Sequence, residues 1–273
     1  MAAGKNLSTK LLEYAVEQCK ERDIKTLRLD CDSSIEKLNQ IYQNFGFICE
    51  KKETLLIGGR EYPTAFYVYY TNQMSVAKHY DALIDENNDP VKDPPILLDY
   101  MNKWDGQQFV EELTLDKNKN VLEVGVGTGR IALKICGSCK RFTGIDLSPK
   151  TIERAQENLK DFENINLICG DFLEYNFSEK FETIYSSLTF MHIDYDNKFK
   201  FIQKAYDLLD NYGRFVLAIS KTKDSKIFFE NRIIKIFPDI PNQTEEYILN
   251  AGFLLRNKVE TEFAVIFICI KIK

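Results

Sequence analysis

Three short segments place chemically useful residues at telling intervals. In Val121-Leu122-Glu123-Val124-Gly125-Val126-Gly127-Thr128-Gly129-Arg130 an apolar strand runs into three alternating glycines and then an expected helix. Glycine permits a tight turn and removes the side chain where backbone must approach a ligand. A helix start offers unpaired N–H groups to an electronegative ligand. Gly144-Ile145-Asp146 ends the next expected strand, with Asp146 seventeen residues beyond Gly129. In doubly wound folds an acid at about this distance grips ribose hydroxyls. Cys169-Gly170-Asp171-Phe172 ends a third strand, where a carboxylate can accept a hydrogen bond from an exocyclic amine such as that of adenine. Taken singly, each has a plainer reading: Gly127 as a turn, Asp146 as a cap before Ser148-Pro149, Asp171 as a cap or turn residue. Together they fall, in order, at the carboxyl ends of neighbouring strands, where open α/β sheets bind ligands.

The elements that must position these residues follow from periodicity. Strands are expected at 120–125, 141–146, 165–169, 182–187 and 214–220, and helices at about 129–136, 149–160 and 196–209. This alternation implies a parallel sheet with right-handed crossovers. A helix near Thr244–Asn250 and two strand-like runs, Leu254–Glu260 and Phe263–Lys271, close the chain. Upstream lies a helix from about Ser75, the break Asp93-Pro94-Pro95, and a helical stretch with Trp104 and Phe109. A separate α/β segment comes first: helix Ser8–Arg22 with Ser8 as N-cap, strand Thr26–Cys31, helix Ser34–Phe45, strand Phe47–Ile57, a Gly58-Gly59 hairpin turn and strand Tyr62–Tyr70.

Composition narrows the function classes. The 273 residues are 44% hydrophobic and 28% charged, enough for a large core. No run of eighteen apolar residues and no apolar signal core appear, so a cytoplasmic protein without membrane spans is expected. Net charge is −5, and residues 1–73 carry ten acidic and ten basic side chains, so the excess lies in the remainder. Without a basic footprint, nucleic acid is not the expected partner. Of seven cysteines only Cys136 and Cys139 have CxxC spacing, half of a four-ligand zinc set, and they fall at the far end of the helix after the glycine loop. They read as structural thiols, and no metal is expected.

E-V-G-V-G-T-G-R, G-I-D-L-S and G-D-F resemble the first three motifs of class I S-adenosylmethionine (AdoMet)-dependent methyltransferases. Tyr185-Ser186-Ser187-Leu188-Thr189-Phe190-Met191-His192 is similar to the segment closing their fourth strand, and Glu246–Phe253 to their last helix. The resemblance covers about 74–273 and implies an α/β, Rossmann-like seven-stranded sheet in the order 3-2-1-4-5-7-6. It further implies that Gly125, Gly127, Thr128 and Gly129 line AdoMet, that Glu123 orients its methionine end, and that Asp146 binds the ribose with Leu147 beside the adenine. Asp171 would take the adenine amine with Phe172 adjacent, Ser187 would lie near the sulfonium, and Tyr80 would close over the methionine carboxylate. His192, just past strand four, is the best candidate for a catalytic base; a loop or cap histidine is the alternative. A nicotinamide cofactor fits less well, because its fingerprint is G-x-G-x-x-G and Glu123 puts an acid just before the loop. No N/D-P-P-Y/F follows strand four, as amino-methylating DNA enzymes would show, and the acidic balance and compact insert region make a small molecule the expected acceptor. A non-catalytic AdoMet-binding module remains an alternative.

The first segment resembles part of the GNAT-type N-acetyltransferases. Gly4-Lys5-Asn6-Leu7-Ser8-Thr9-Lys10-Leu11-Leu12 is similar to their pyrophosphate loop and helix, Leu27–Cys31 to their fifth strand, and Asn39–Tyr42 with Phe45-Gly46-Phe47 to a helix and turn bearing a CoA-contacting Asn and a general-acid Tyr. The resemblance covers 4–70 and lacks the strand lining pantetheine, so acetyl transfer by this chain alone is not expected; completion by a partner chain is the remaining alternative. Two domains follow, 1–73 and 74–273. The strand at Thr26–Cys31 lacks its family neighbour, so the small domain is expected to dock on the larger one or to pair with a second copy as a homodimer.

Overall fold

Leu12, Val16 and Cys19 recur on one face of α1 (Leu7–Glu21), and that face turns inward. In this computed structural model, which describes residues 7–229 and 232–272, α1 leads to β1 (Thr26–Asp32), α2 (Glu36–Phe45), β2 (Ile48–Ile57), β3 (Arg60–Tyr70) and the short β4 (Gln73–Met74). Ser8 lies within α1 rather than capping it, because the helix already includes Leu7. Gly4-Lys5-Asn6 of the loop resemblance lies outside the described residues. Strands β1, β3 and β2 form an antiparallel sheet with β3 central. Leu27, Leu29 and Cys31 alternate onto a core of Phe47, Ala65 and Tyr67. Asn39 is buried there: its amide nitrogen donates to Asp32 O (3.0 Å) and Ile35 O (2.7 Å), and Tyr67 Oη donates to its Oδ1 (2.7 Å). Its polar atoms are engaged in holding the β1–α2 turn.

The larger unit begins with α3 (Val76–Asp85), α4 (Pro95–Asn102) and α5 (Gly106–Glu112), the last two separated by Lys103–Asp105 ahead of Gly106, whose φ of +69° interrupts the helix. Then follow β5 (Asn120–Val124), α6 (Ala132–Ile135), β6 (Arg141–Asp146), α7 (Pro149–Asn158), β7 (Ile165–Cys169), β8 (Phe181–Ser187), α8 (Tyr195–Leu208) and β9 (Leu209–Ser220). A hairpin, β10 (Lys226–Phe229) and β11 (Arg232–Lys235), precedes α9 (Pro241–Asn250), β12 (Phe253–Glu260) and β13 (Ala264–Lys271). The main sheet runs β12-β13-β9-β8-β5-β6-β7. With its strands numbered one to seven along the chain, the order from β7 is 3-2-1-4-5-7-6. Pairing from β7 through β9 is parallel, and β13 inserts antiparallel between β9 and β12. Apolar side chains fill both faces of this sheet. Leu122, Val124, Ile184 and Phe215 point to one, Val121, Phe142, Tyr185 and Val216 to the other, as expected of strands buried on both sides.

The structure also departs from the sequence reading in the helix after β5 and in the division of the chain. The helix expected over 129–136 is reduced to Ala132–Ile135 with a 3-10 turn at Cys136–Ser138, because Gly129 holds φ at +91° and helical backbone cannot start until past it. The chain also divides into units comprising Met1–Ser75 with Ser225–Lys235, and Val76–Asp224 with Ile236–Lys273. Residues 225–235, which the sequence boundary at 73 leaves in the later domain and which form a hairpin not expected from the sequence, therefore belong to the first unit. Ile233 and Ile234 of β11 pair in parallel with Gln73 and Met74 of β4, and Lys226 Nζ reaches Tyr70 Oη (2.6 Å) and Glu50 (3.3 Å).

Candidate functional site

The turn after β5 is built from glycines that no other residue replaces cheaply. Gly125 sits at φ +80°, and a Cβ there would lie 2.0 Å from Thr189 Oγ1. The N–H groups of Gly125 and Val126 both donate to Ile145 O, at 2.8 and 3.1 Å, which presses the turn onto β6. Gly127, at φ +56°, has open space where a Cβ would stand, so this part of the loop is accessible to a ligand. Gly125→Ala is expected to cost about 2 kcal/mol through backbone strain and the Thr189 clash, or roughly 4–8 °C in Tm; an unchanged melting curve would contradict this packing.

Asp146 ends β6 directly below. Its two carboxylate oxygens accept from Gly127 N and Ser148 N, each at 3.0 Å, so the same side chain braces the glycine turn and the start of α7. Ser148, not Asp146, caps α7, accepting from Thr151 N at 3.1 Å. Burial raises the Asp146 carboxyl above the usual carboxylate range. The adjacent Leu147 is exposed. Asp171, after β7, is exposed, and its Oδ1 accepts from Leu173 N at 2.8 Å. Phe172, expected beside the ligand, instead turns its ring into the core, 4.9 Å from Phe201: the apolar face of the sheet competes for it and wins. Thr128 is buried, and its carbonyl accepts from Asn158 of α7 at 3.0 Å.

Helix α3 is held against this end of the sheet by Asp81, which accepts from Ser148 Oγ (2.7 Å) and Lys150 N (3.1 Å), with Lys150 also pairing Asp85 at 2.6 Å. That docking carries Tyr80 to 3.1 Å from Nε2 of His192, with the rings edge-to-face. Burial and the charge of Asp146 push Tyr80 up to about 12. Burial, aided by His79 and Lys198, pushes His192 down to about 4, so its imidazole is neutral at pH 7. Nδ1 of His192 is buried without a hydrogen-bond partner among the described residues.

A buried polar cluster completes the site. Glu123 is 2% exposed and accepts from Tyr185 Oη at 2.7 Å. Beside it, Arg130 holds Asp105 through its two terminal guanidinium nitrogens, and Ser187 Oγ donates to Asp105 Oδ2 at 3.0 Å. Asp105 is 3% exposed. Sequence reading missed it: it precedes β5 by fifteen residues in a stretch of no motif, and only the fold brings it to the strand ends. Tyr185 was visible only as part of the strand-four segment. Leu188 adopts φ +59°, costly for a bulky residue; it follows Ser187 directly and aims the chain toward Thr189 and His192. Cys136 and Cys139 are buried, and their carbonyls accept from Asn164 at 2.9 and 3.1 Å. Their thiols are raised by burial, that of Cys136 to about 12, as befits structural cysteines.

The chain thus gathers Gly125, Gly127, Glu123, Asp146, Ser187 and, from outside the sheet, Tyr80 and His192, at the carboxyl ends of β5, β6 and β8. A methyltransferase-domain family profile matches residues 121–213. Malonyl-[acyl-carrier protein] O-methyltransferase 1 of Ilyobacter polytropus is 37% identical over 121 residues. That alignment covers 42% of each protein, so this chain spans less than half the length of that relative. An uncharacterized methyltransferase of Bacillus mycoides is 30% identical over 159 residues, 58% of this chain and 68% of that one. Among solved structures, the N-methyltransferase NodS of Bradyrhizobium japonicum, in complex with S-adenosyl-L-homocysteine, superposes with a TM-score of 0.57 at 16% identity, over 73% of this chain and all of that one; this likeness is one of fold. On the shared sequence over two thirds of the Bacillus mycoides protein, the chain belongs to the S-adenosylmethionine-dependent methyltransferases.

Proposed function

We propose that the larger unit binds AdoMet across the carboxyl ends of β5, β6, β7 and β8 and transfers its methyl group to a small-molecule acceptor presented near His192. The observation that carries this reading is the convergence of an open glycine turn at Gly127 with the buried Glu123 and the half-buried Asp146. The donor set fits the group: Asp146 offers a carboxylate for ribose hydroxyls and Glu123 one for an ammonium. In this reading Asp146 exchanges its bonds to Gly127 and Ser148 for, or shares them with, the ribose hydroxyls. Asp171 meets the adenine amine with Leu147 alongside, and Ser187 lies by the sulfonium.

Methyl transfer from a sulfonium is an in-line displacement whose leaving group needs no proton, so alignment supplies roughly 7–11 kcal/mol of the barrier reduction. The acceptor must still lose its proton. In the tautomer that suits His192 for this, Nε2–H donates to the Tyr80 oxygen and Nδ1 presents its lone pair. Its low basicity restricts it to taking a proton that has become acidic as the new bond forms.

The domains fall near 1–73 and 74–273, with the hairpin exchanged. The first unit runs helix, strand, helix and hairpin, and no comparison supports its resemblance to an acetyltransferase; we assign it no activity. Its β1 has one open edge among the described residues, the edge by which a homodimer would form. The seven free cysteines suit a reducing, cytoplasmic setting. No helix among the described residues is long and apolar enough to cross a membrane. Isothermal titration with AdoMet and with its demethylated product tests the assignment: both are expected to bind saturably. Absence of heat and of any thermal shift with either would overturn it.

A further inference from the structure

Glu123 is an unusual carboxyl for its surroundings. It stands at the end of β5, paired in parallel register with Tyr185 of β8, so both side chains leave the same face of the sheet. Among the described residues its carboxyl takes one hydrogen bond, from the Tyr185 hydroxyl. Tyr185 is itself fully buried, its ring edge-on to Phe109 at 5.9 Å. The cation that acts on it, Arg130, is engaged by Asp105 through its two terminal nitrogens. The remaining ionisable groups facing the pair are Asp146 from β6 and the thiols of Cys136 and Cys139 beyond α6. Glu123, Asp105 and Asp146 thus confront one already neutralised guanidinium, with Glu123 and Asp105 themselves almost wholly buried.

Burying an ionised carboxylate with a single neutral partner is expensive, and such a group keeps its proton instead. AdoMet brings two positive charges, its sulfonium and its α-ammonium. Either one, placed at this strand end, supplies the counter-charge that Arg130 does not. We propose that AdoMet binding drives the proton off Glu123 into solvent, and that Tyr185 is the positioning residue that holds the carboxyl toward the cofactor and stabilises it once charged. The proposal rests on AdoMet binding at this site.

The sign follows from the free state. Burial raises Glu123 from the ordinary carboxylate range to about 8, so at pH 7 the free protein holds the proton and the complex does not. Affinity should then rise with pH, up to tenfold per unit, and level off above about pH 8. Folding runs the other way: stability is fully present below the ordinary carboxylate value and is lost as pH rises toward 8.

Titration of the full chain with AdoMet at pH 7, in buffers of different ionisation enthalpy, reads the proton directly. The expected result is a buffer-dependent heat corresponding to release of close to one proton, and a Kd that tightens from pH 6 to pH 8. Tyr185→Phe is expected to weaken AdoMet about tenfold at pH 7 and to move the levelling-off to higher pH, while Glu123→Gln abolishes the buffer dependence. Saturable binding with a buffer-independent heat and a flat pH profile in the unmodified protein would overturn the proton coupling while leaving AdoMet binding intact. Failure to bind at all would overturn the cofactor site itself. A folded Tyr185→Phe protein with unaltered Kd and pH profile would remove Tyr185 from the role; the buffer experiment needs no variant and decides the coupling even if that variant does not fold.

Discussion

Asp239→Ala is expected to lower the stability of the larger unit by about 3–5 kcal/mol, because it strands a buried lysine without its counter-charge. Lys198 of α8 and Asp239 are 3% and 0% exposed at their side chains and pair at 2.5 Å. Burial pushes the lysine down and the aspartate up, each partly held in its charged form by the other. Lys198 Nζ also donates to Phe190 O at 2.8 Å and lies 4.2 Å above the Phe190 ring. Two residues upstream of Asp239, the Phe237 N–H donates to Met191 O at 2.8 Å. The pair therefore clamps the segment Phe190–His192 to the irregular stretch 236–240 ahead of α9. Against a typical total of about 5–15 kcal/mol, a loss of this size should lower the urea midpoint substantially. The double variant Lys198→Met/Asp239→Leu, which removes both charges, should recover much of the loss. If Asp239→Ala shifted the unfolding free energy by less than about 1 kcal/mol, the pair would be behaving as an exposed one, and the burial described here would be wrong.

Asp146→Ala should weaken AdoMet at least tenfold in titration calorimetry. Hydrogen bonds to a charged group contribute roughly 1.5–3 kcal/mol each, and a ribose diol offers two. The structure adds a second consequence. Because the Asp146 oxygens already hold Gly127 N and Ser148 N, alanine also releases the glycine turn and the α7 start, so a modest fall in Tm should accompany the loss of affinity. Asp146→Asn separates these effects: it keeps one acceptor oxygen for the loop while removing the charge. Unchanged affinity in a folded Asp146→Ala protein would mean that Asp146 only braces the loop.

Much of this protein is legible before folding because the relevant information is local. The alternation of apolar runs with glycine and acid at strand ends depends on residues within a few positions of one another, and the strands at Asn120–Val124, Arg141–Asp146 and Ile165–Cys169 lie within a residue of where periodicity puts them. Gly58-Gly59 marks its hairpin for the same reason: both residues take positive φ, 58° and 78°. Where a local signal competes with a distant one, the sequence reading fails. Phe172 looks like a ligand neighbour beside Asp171, yet Phe177 and Phe201 draw its ring into the core.

The hairpin at Ser225–Lys235 shows this most clearly. Nothing within those residues says that Ile233 and Ile234 will pair with Gln73 and Met74, some 160 positions earlier; a two-residue parallel ladder has no periodicity to read. A cut after residue 73 therefore does not separate the two units, since it leaves this hairpin without its partner.

The same division runs through the site. By itself the sequence determines the glycine turn, the acids that follow strands one to three, and the cofactor class they suit, because each is a short pattern with its own backbone requirement. The tertiary structure decides the protonation and pairing of those groups. Tyr185 meets Glu123 across 62 positions, Ser187 meets Asp105 across 82, and Tyr80 meets His192 across 112. Whether a buried carboxyl keeps its proton or an imidazole stays neutral depends on the charges and water excluded or admitted around it, and these are set by chain segments far apart in sequence that only the fold brings together.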